Sequence, residues 1–369
     1  MLLKRISDSL PDELASLIPE LESAGIKTTE SLIFSSSSTI LHLVPILSTI
    51  QLNCLIEECL IRTSPDEIRG DQVNEDDGGW SGFGIPGLDE LFDGWNGIGL
   101  VEIAGPRKVA KSLLVLHAAL RVLFQDPEAY CRWIDTEGSF SPERAKAILD
   151  IWNVEDIHGI LERLVVVNAF KLEDIFNSIS QIKQSIDNPD QGEIKVLVLD
   201  NVFTHFRDLL SATSAQGHAE LVSLMEEIAE ITYLKGMVSF IINSSVSSQP
   251  TNPLSAFNRT DIKPALGASF TFTTDITLLI QETGRVFGLA DAEERERIRN
   301  KPGLRGLVEV IRSRVSPTGK WAIFETDGIR LFDVIPPHEV DERSTRISAG
   351  LPTGPYRPIH GSLAQTLIP

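Results

Sequence analysis

Apolar positions along the chain follow two rhythms. Up to about residue 61 they recur at helical spacing: Leu14, Leu17, Ile18 and Leu21, then Leu41, Val44, Leu47, Leu52, Leu55 and Ile56. Asp12 and Glu13 after Pro11 predict a helix start, Gly25 its end, and the run Ser35 to Ser38 a turn with a helix cap. A helical unit of this size, residues 1–61, is marginal alone and is expected to dock on something.

Residues 62–83 are rich in Asp, Glu, Gly and Ser and poor in aliphatics, which predicts a linker. Trp80 and Phe83 stand out in it. They are either pinned on the chain's own core or kept for a partner. From Gly97 the rhythm changes to near-continuous apolar runs at Gly99–Ala104, Cys131–Ile134, Leu164–Val167, Val196–Leu199, Val238–Ile242 and Ile276–Ile280. Helical stretches fall between them at Lys111–Phe124, Pro142–Trp152, Leu172–Ile186 and His218–Leu234. That alternation predicts an α/β fold, a parallel sheet covered on both faces. After about 305, short strands at Leu307–Arg314, Trp321–Phe324 and Ile329–Val334 are split by turn sequences and predict an antiparallel meander. Residues 335–369, with many Pro, Gly and Ser, read as a disordered tail.

Composition narrows the partners. With 33 Lys and Arg against 52 Asp and Glu, the net charge is −19, which argues against a surface built wholly to grip a polyanion. Cys54, Cys59 and Cys131 cannot make a disulfide framework. Cys54 and Cys59, in an apolar stretch, are expected to be buried thiols, and a reducing compartment fits. No membrane span is visible: the apolar stretch from Ile40 to Ile56 is interrupted by His42, Pro45, Gln51 and Asn53. The N-terminus has no signal-peptide core.

The chemistry concentrates after the first strand. Gly105-Pro106-Arg107-Lys108-Val109-Ala110-Lys111-Ser112 separates that strand from an apolar helix, the context a phosphate-binding loop requires. There, successive backbone N–H groups and a helix N-terminus converge on phosphate oxygens. Lys111 would neutralise phosphate charge and Ser112 would ligate Mg²⁺. Ala110 stands where the pattern has its second glycine, and a left-handed residue there costs roughly 1 kcal/mol without glycine. A chance Lys-Ser helix start, or a decayed site, is the competing reading. Asp200 ends the apolar run from Val196 and fits a strand-tip acid that holds the metal's water shell. Glu137 follows another strand, either to polarise a water or merely to cap a helix.

Asp135-Thr136-Glu137-Gly138-Ser139-Phe140-Ser141-Pro142-Glu143-Arg144 closely resembles a segment of the RecA-type recombinases, specifically the eukaryotic strand-exchange recombinase and its paralogues. Gly84-Ile85-Pro86-Gly87-Leu88-Asp89-Glu90-Leu91 resembles that family's lead-in to the loop. Lys263-Pro264-Ala265-Leu266-Gly267 with Ser269-Phe270, Leu164 to Phe170, and Ser313 to Gly319 are similar to the D-type branch of the Rad-fifty-one group. Gly25-Ile26-Lys27-Thr28 is similar in kind to the family's small helical domain.

The resemblance covers about residues 84–334 and implies a RecA-like P-loop ATPase core behind a small helical domain. It implies ATP and Mg²⁺ as cofactors, held by the loop Gly105 to Ser112 and by Asp200, with Glu137 as the catalytic acid–base. It further implies homologous recombination in the nucleus, other recombinase paralogues and the recombinase itself as partners, and single-stranded or branched DNA, with no membrane. Three departures bear on this. Ala110 weakens the loop. Ser244 stands where the family has a sensing glutamine. The linker lacks the Phe-x-x-Ala peptide of filament formers, so a small hetero-oligomer is expected in place of long homofilaments, with the N-terminal helical unit and Trp80 and Phe83 as a candidate surface for a different partner.

A weak DNA-dependent ATPase and a pseudo-ATPase scaffold both fit; the strings quoted argue against an unrelated nucleotide kinase or ring helicase. For DNA, the loops Thr204–Gly217 and Ser244–Lys263 offer only Arg207, Arg259 and Lys263, beside His205 and His218. That is thin for binding by counterion release. The stretch Arg295, Arg297, Arg299, Lys301 and Arg305 alternates with acids and reads as a solvated helix.

Overall fold

Nine strands form one sheet, in the order β11-β10-β9-β8-β1-β5-β4-β2-β3. The strands are β1 (Gly99–Ala104), β2 (Ala129–Asp135), β3 (Leu164–Asn168), β4 (Glu193–Asp200), β5 (Val238–Asn243), β6 (Ser245–Ser247), β7 (Ile262–Pro264), β8 (Ile276–Glu282), β9 (Leu304–Ser313), β10 (Trp321–Thr326) and β11 (Leu331–Val334). β3, β2, β4, β5, β1 and β8 run parallel, and β9 to β11 continue the sheet antiparallel. β6 and β7 pair apart as a hairpin. This is a computed structural model, which describes residues 3–7, 10–63, 80, 82–184, 192–210, 215–249, 251–287 and 303–334. The expected tail and nearly all of the expected linker lie outside those residues, as do Arg295, Arg297, Arg299 and Lys301.

Alternation within each strand assigns the two faces of the sheet. Val196 and Val198 pack with the Lys111–Gln125 and Pro142–Ile151 helices, through Leu113, Leu120, Ile148 and Leu149. Leu197 and Leu199 pack on the other face against Ile175 and Ile179 of the Leu172–Gln184 helix and Leu224 and Ile228 of the Ala215–Lys235 helix. Both faces are dry, so near-continuous apolar strands are what such a sheet needs.

The chain divides into two compact units, Met1–Asn74 and Glu75–Pro369. The first is helical, with a core of Leu21, Leu32, Ile40, Leu52 and Leu55. The helix expected from Asp12 to Gly25 is broken into Asp12–Ala15 and Ile18–Ser23, because Pro19 sits in the first turn of the second piece. Gly25 follows its end at φ +90°, a conformation that favours glycine. Ser36 caps the Ser37–Leu43 helix by accepting the Thr39 N–H.

Two expectations are corrected. Cys54 is exposed; only Cys59 and Cys131 are buried, since Cys54 falls on the outer face of the Thr49–Thr63 helix. Trp80 and Phe83 are not an exposed surface; they pack on the chain's own core, the first of the two readings given for them. They are 5% and 2% exposed and lie in the core, with Trp80 making edge contacts to Phe83, Phe92, Trp95 and Phe240. Among the described residues, no helix is long and apolar enough to cross a membrane.

Candidate functional site

The parallel strands all end on one edge of the sheet, and the expected chemistry gathers there. A cavity of about 390 Å³ is lined by Arg107, Lys108, Ala110, Lys111 and Ser112 from the loop after β1. Glu137, Ser139 and Arg144 after β2, Asp200 and Asn201 at the end of β4, and Ser244 after β5 complete it. Register explains the convergence, since Asp135 pairs with Asp200 and Asp200 with Ile242.

The loop is tight. A Cβ on Gly105 would lie 2.5 Å from the Ile280 carbonyl, so only glycine fits. Ala110 is left-handed, at φ 65° and ψ 24°, as the missing glycine required, and Lys108 is also at positive φ. Val109 does not face the cavity; it is buried in the core, which anchors the loop from below. The Lys111 ammonium donates to the Gly105 and Pro106 carbonyls at 2.9 and 2.6 Å. Burial lowers its pKa to about 8, against the opposing pull of Asp200 and Glu137. Burial likewise raises Asp200 to about 6, although the Ser112 hydroxyl hydrogen-bonds its carboxylate and Lys111 is near.

Ser112 and Asp200 thus present hydroxyl and carboxylate oxygens together, a donor set that suits a hard cation such as Mg²⁺. Among the described residues, no group of three or more His, Cys, Asp or Glu could hold a metal by itself. An ion here would take its other ligands from phosphate and water, the usual habit of Mg²⁺.

Glu137 is not a helix cap. Ser141 caps the Pro142–Ile151 helix, while Glu137 accepts a hydrogen bond from the Thr204 hydroxyl at 2.8 Å. Its position is set by Asp135, whose role the sequence alone does not show. The Asp135 carboxylate accepts from the N–H groups of Glu137, Gly138 and Phe140 at 3.0, 2.9 and 2.8 Å, folding the turn after β2. Thr136 laces that turn to β4: its hydroxyl accepts the Asn201 N–H at 2.8 Å. Asn201 and Thr204, also missed, follow the strand acid by one and four residues. An acid opening a Thr-Glu-Gly turn was the available signal for Asp135.

Beneath the cavity a buried polar chain crosses the sheet. Asn243 donates to Glu102 at 2.7 Å and to the Ala265 carbonyl at 3.0 Å, and Thr277 donates to the other Glu102 oxygen at 3.0 Å. Burial raises Glu102 to about 7. Asn243 also accepts the Ser244 N–H, and Ser244 receives the Asn201 amide at 3.3 Å. The segment after β5 is a folded hairpin rather than a bare loop. Glu309 of β9 accepts from Ser255 at 2.7 Å and from the Ala256 N–H at 2.5 Å, and Phe257 is fully buried.

The few cations of the two loops that the resemblance assigns to DNA are dispersed. Arg207 pairs with Asp208, Arg259 donates to the Phe287 carbonyl, and His205 bonds the Ala169 carbonyl. Lys263 is exposed on β7.

The sheet order and the strand-end loop site define a RecA-like α/β fold. The solved RadB recombinase has this fold: it superposes with a TM-score of 0.53 at 20% identity, over 69% of this chain and all of that one. The model of the Rad51 family matches residues 84–292, more than half the chain, and the chain belongs to that family. It is 26% identical to the DNA repair and recombination protein RadB of Pyrococcus abyssi over 172 residues, 46% of this chain and 69% of that one. It is 25% identical to DNA repair protein RAD51 homolog 4 of Bos taurus over 206 residues, 54% and 60% of the two chains. With DNA repair protein RAD57 of Saccharomyces cerevisiae it shares 24% over 176 residues, 44% and 37%. Against these curated relatives, the matched stretches span from about a third to just over two thirds of the relative's length.

Proposed function

We propose that this protein binds ATP with Mg²⁺ and serves DNA repair by homologous recombination, as a recombinase paralogue that helps load or stabilise the recombinase on single-stranded DNA. The observation that carries the reading is the convergence of Lys111, Ser112, Asp200 and Glu137 on one cavity behind a phosphate-type loop. Bound Mg²⁺ would be held by Ser112 with Asp200 behind its water shell, and it would offset charge between phosphate oxygens. Lys111 exchanges its carbonyl partners for phosphate. Glu137, held by Thr204, orients a water. The likeness to RAD51 homolog 4 and the Lys263 to Gly267 segment favour the D-type branch. They also favour work inside a hetero-oligomer of paralogues, in the nucleus.

Titration with a fluorescent ATP analogue and Mg²⁺ tests this. Wild type saturates, and Lys111→Ala weakens binding at least about a hundredfold, the scale of a lost charge-assisted phosphate contact. Unchanged binding removes the phosphate-loop assignment. Any turnover falls about 10²–10⁴-fold in Glu137→Gln while binding stays. A specific observation favours a second reading, a scaffold without turnover: Ser244 occupies the rim position of the family's sensing glutamine, and its hydroxyl is engaged by Asn201. Turnover absent from wild type at saturating ATP, with binding intact, selects the scaffold.

A further inference from the structure

A second cavity, of about 240 Å³, opens between the Lys111–Gln125 and Pro142–Ile151 helices, and shares no residue with the phosphate-loop cavity. His117 and Arg121 face it from the first helix, Ile148 and Ile151 from the second, and Trp152 from just beyond. The turn from Asp327 into β11 and the backbone at Gly84 close it.

Its walls are fixed. The buried His117 ring has Nε2 2.7 Å from the Ile329 carbonyl oxygen and lies edge-on to Trp152 at 5.5 Å. Asp327 accepts the N–H groups of Ile329 and Arg330 at 2.9 and 2.7 Å, which holds the turn. Gly84 has no side chain to spare: a Cβ there would collide with the Arg121 guanidinium. A hollow this size accepts a ring, since an apolar cavity of about 150 Å³ already takes benzene.

Its chemistry is two-sided. Trp152, Ile148 and Phe332 make it apolar, while Arg121 and Arg330 bring two guanidiniums. The Arg121 Nε is buried without a hydrogen-bond partner, an expensive state for a donor. Two carboxylates are near. Asp89 accepts the Phe83 and Gly84 N–H groups at 2.6 and 3.1 Å with the Arg121 charge nearby, and Asp327 accepts the N–H groups of the turn it holds with the Arg330 charge nearby. Neither accepts a hydrogen bond from the Arg121 Nε. Burial lowers the His117 pKa, so near pH 7 the ring is neutral and the arginines are the cations. Ile151 and Ile329, 37% and 36% exposed, flank the opening. A small free acid inside would leave both uncovered, whereas a peptide lying across the mouth covers them.

We propose that this hollow docks a peptide of a partner protein, which inserts one aromatic side chain and sets a neighbouring carboxylate against Arg121 and Arg330. The full chain, immobilised, is panned with a random dodecapeptide phage library and counter-selected on Arg330→Glu, an exposed position. The expected consensus has an aromatic residue with an acid within two positions. The selected peptide should bind wild type and lose at least about tenfold in Arg330→Glu and in Ile151→Asp, the scale of an interface anchor. Both variants should keep the wild-type melting temperature, and saturating ATP should leave the peptide bound. No enrichment, a consensus lacking either group, or equal binding to both variants overturns the proposal. So does indole-3-acetate matching the peptide's affinity, which would make the hollow a site for free aromatic acids.

Discussion

Asp275 and Asp200 stand at opposite ends of the same parallel sheet and answer burial in opposite ways. Asp275 precedes β8 and is satisfied on every side. It accepts the Leu100 N–H at 2.8 Å, the Tyr233 hydroxyl at 2.5 Å and the Arg314 guanidinium at 3.2 Å. Asp200, at the exit of β4, has the Ser112 hydroxyl and a nearby Lys111, and burial still lifts it to about 6. One carboxylate staples helix, strand and hairpin; the other is held in a costly state beside a lysine that burial also opposes. The end of the sheet where strands enter is built for stability. The end where they leave keeps unspent electrostatic capacity, as a site waiting for a charged ligand does.

The largest expected effect lies at the stabilising end. Asp275→Ala strands a buried N–H, a hydroxyl and a guanidinium, and should cost about 3–5 kcal/mol in urea unfolding. Nucleotide affinity of the folded protein should stay within about twofold. A loss of less than about 1 kcal/mol would erase the contrast.

At the other end the sign reverses. Asp200→Asn removes a carboxylate whose ionisation folding opposes, and should raise stability by about 2–3 kcal/mol at pH 8. The folded pKa is raised, so the wild type loses this stability as pH climbs from about 4 to about 6. The gap between the two proteins should therefore be small at pH 4 and complete above pH 6. Mg²⁺-dependent nucleotide binding should vanish in the variant. Thermal melts across that range check the sign, and a variant less stable at pH 8 would break the comparison.

The smallest effect concerns the loop itself. Ala110→Gly relieves a left-handed alanine, worth roughly 1 kcal/mol, but glycine also loosens the unfolded chain. The net gain should stay below about 1 kcal/mol in thermal melts, against the larger shift from Asp200→Asn.

Most of the fold was legible because its cause is local. Buried parallel strands must be apolar throughout, so β1 was bounded to the residue and the other core strands to within a few. The loop from Gly105 to Ser112 was legible for the same reason: its conformation is written in consecutive residues, down to the left-handed Ala110. Elements without a periodic apolar signature were not. β6 and β7 are three residues each, and the segment between them is held both by its own bonds, such as Asn252 to the Ile262 carbonyl, and by Glu309, some fifty residues further on, which accepts from Ser255 and Ala256.

The sequence by itself determined the alternation of strands and helices, the phosphate-type loop, and the identity of Lys111, Ser112, Glu137 and Asp200 as candidates. Local patterning and residue chemistry are enough for that. Only the tertiary structure decided that Trp80 and Phe83 belong to the core, that Glu137 is held by Thr204 rather than capping a helix, and that Asp135 shapes the turn carrying it. It alone showed a second hollow, beside an arginine whose buried Nε has no hydrogen-bond partner. Burial and hydrogen-bond partnership are relations between residues far apart in the chain, and packing fixes them.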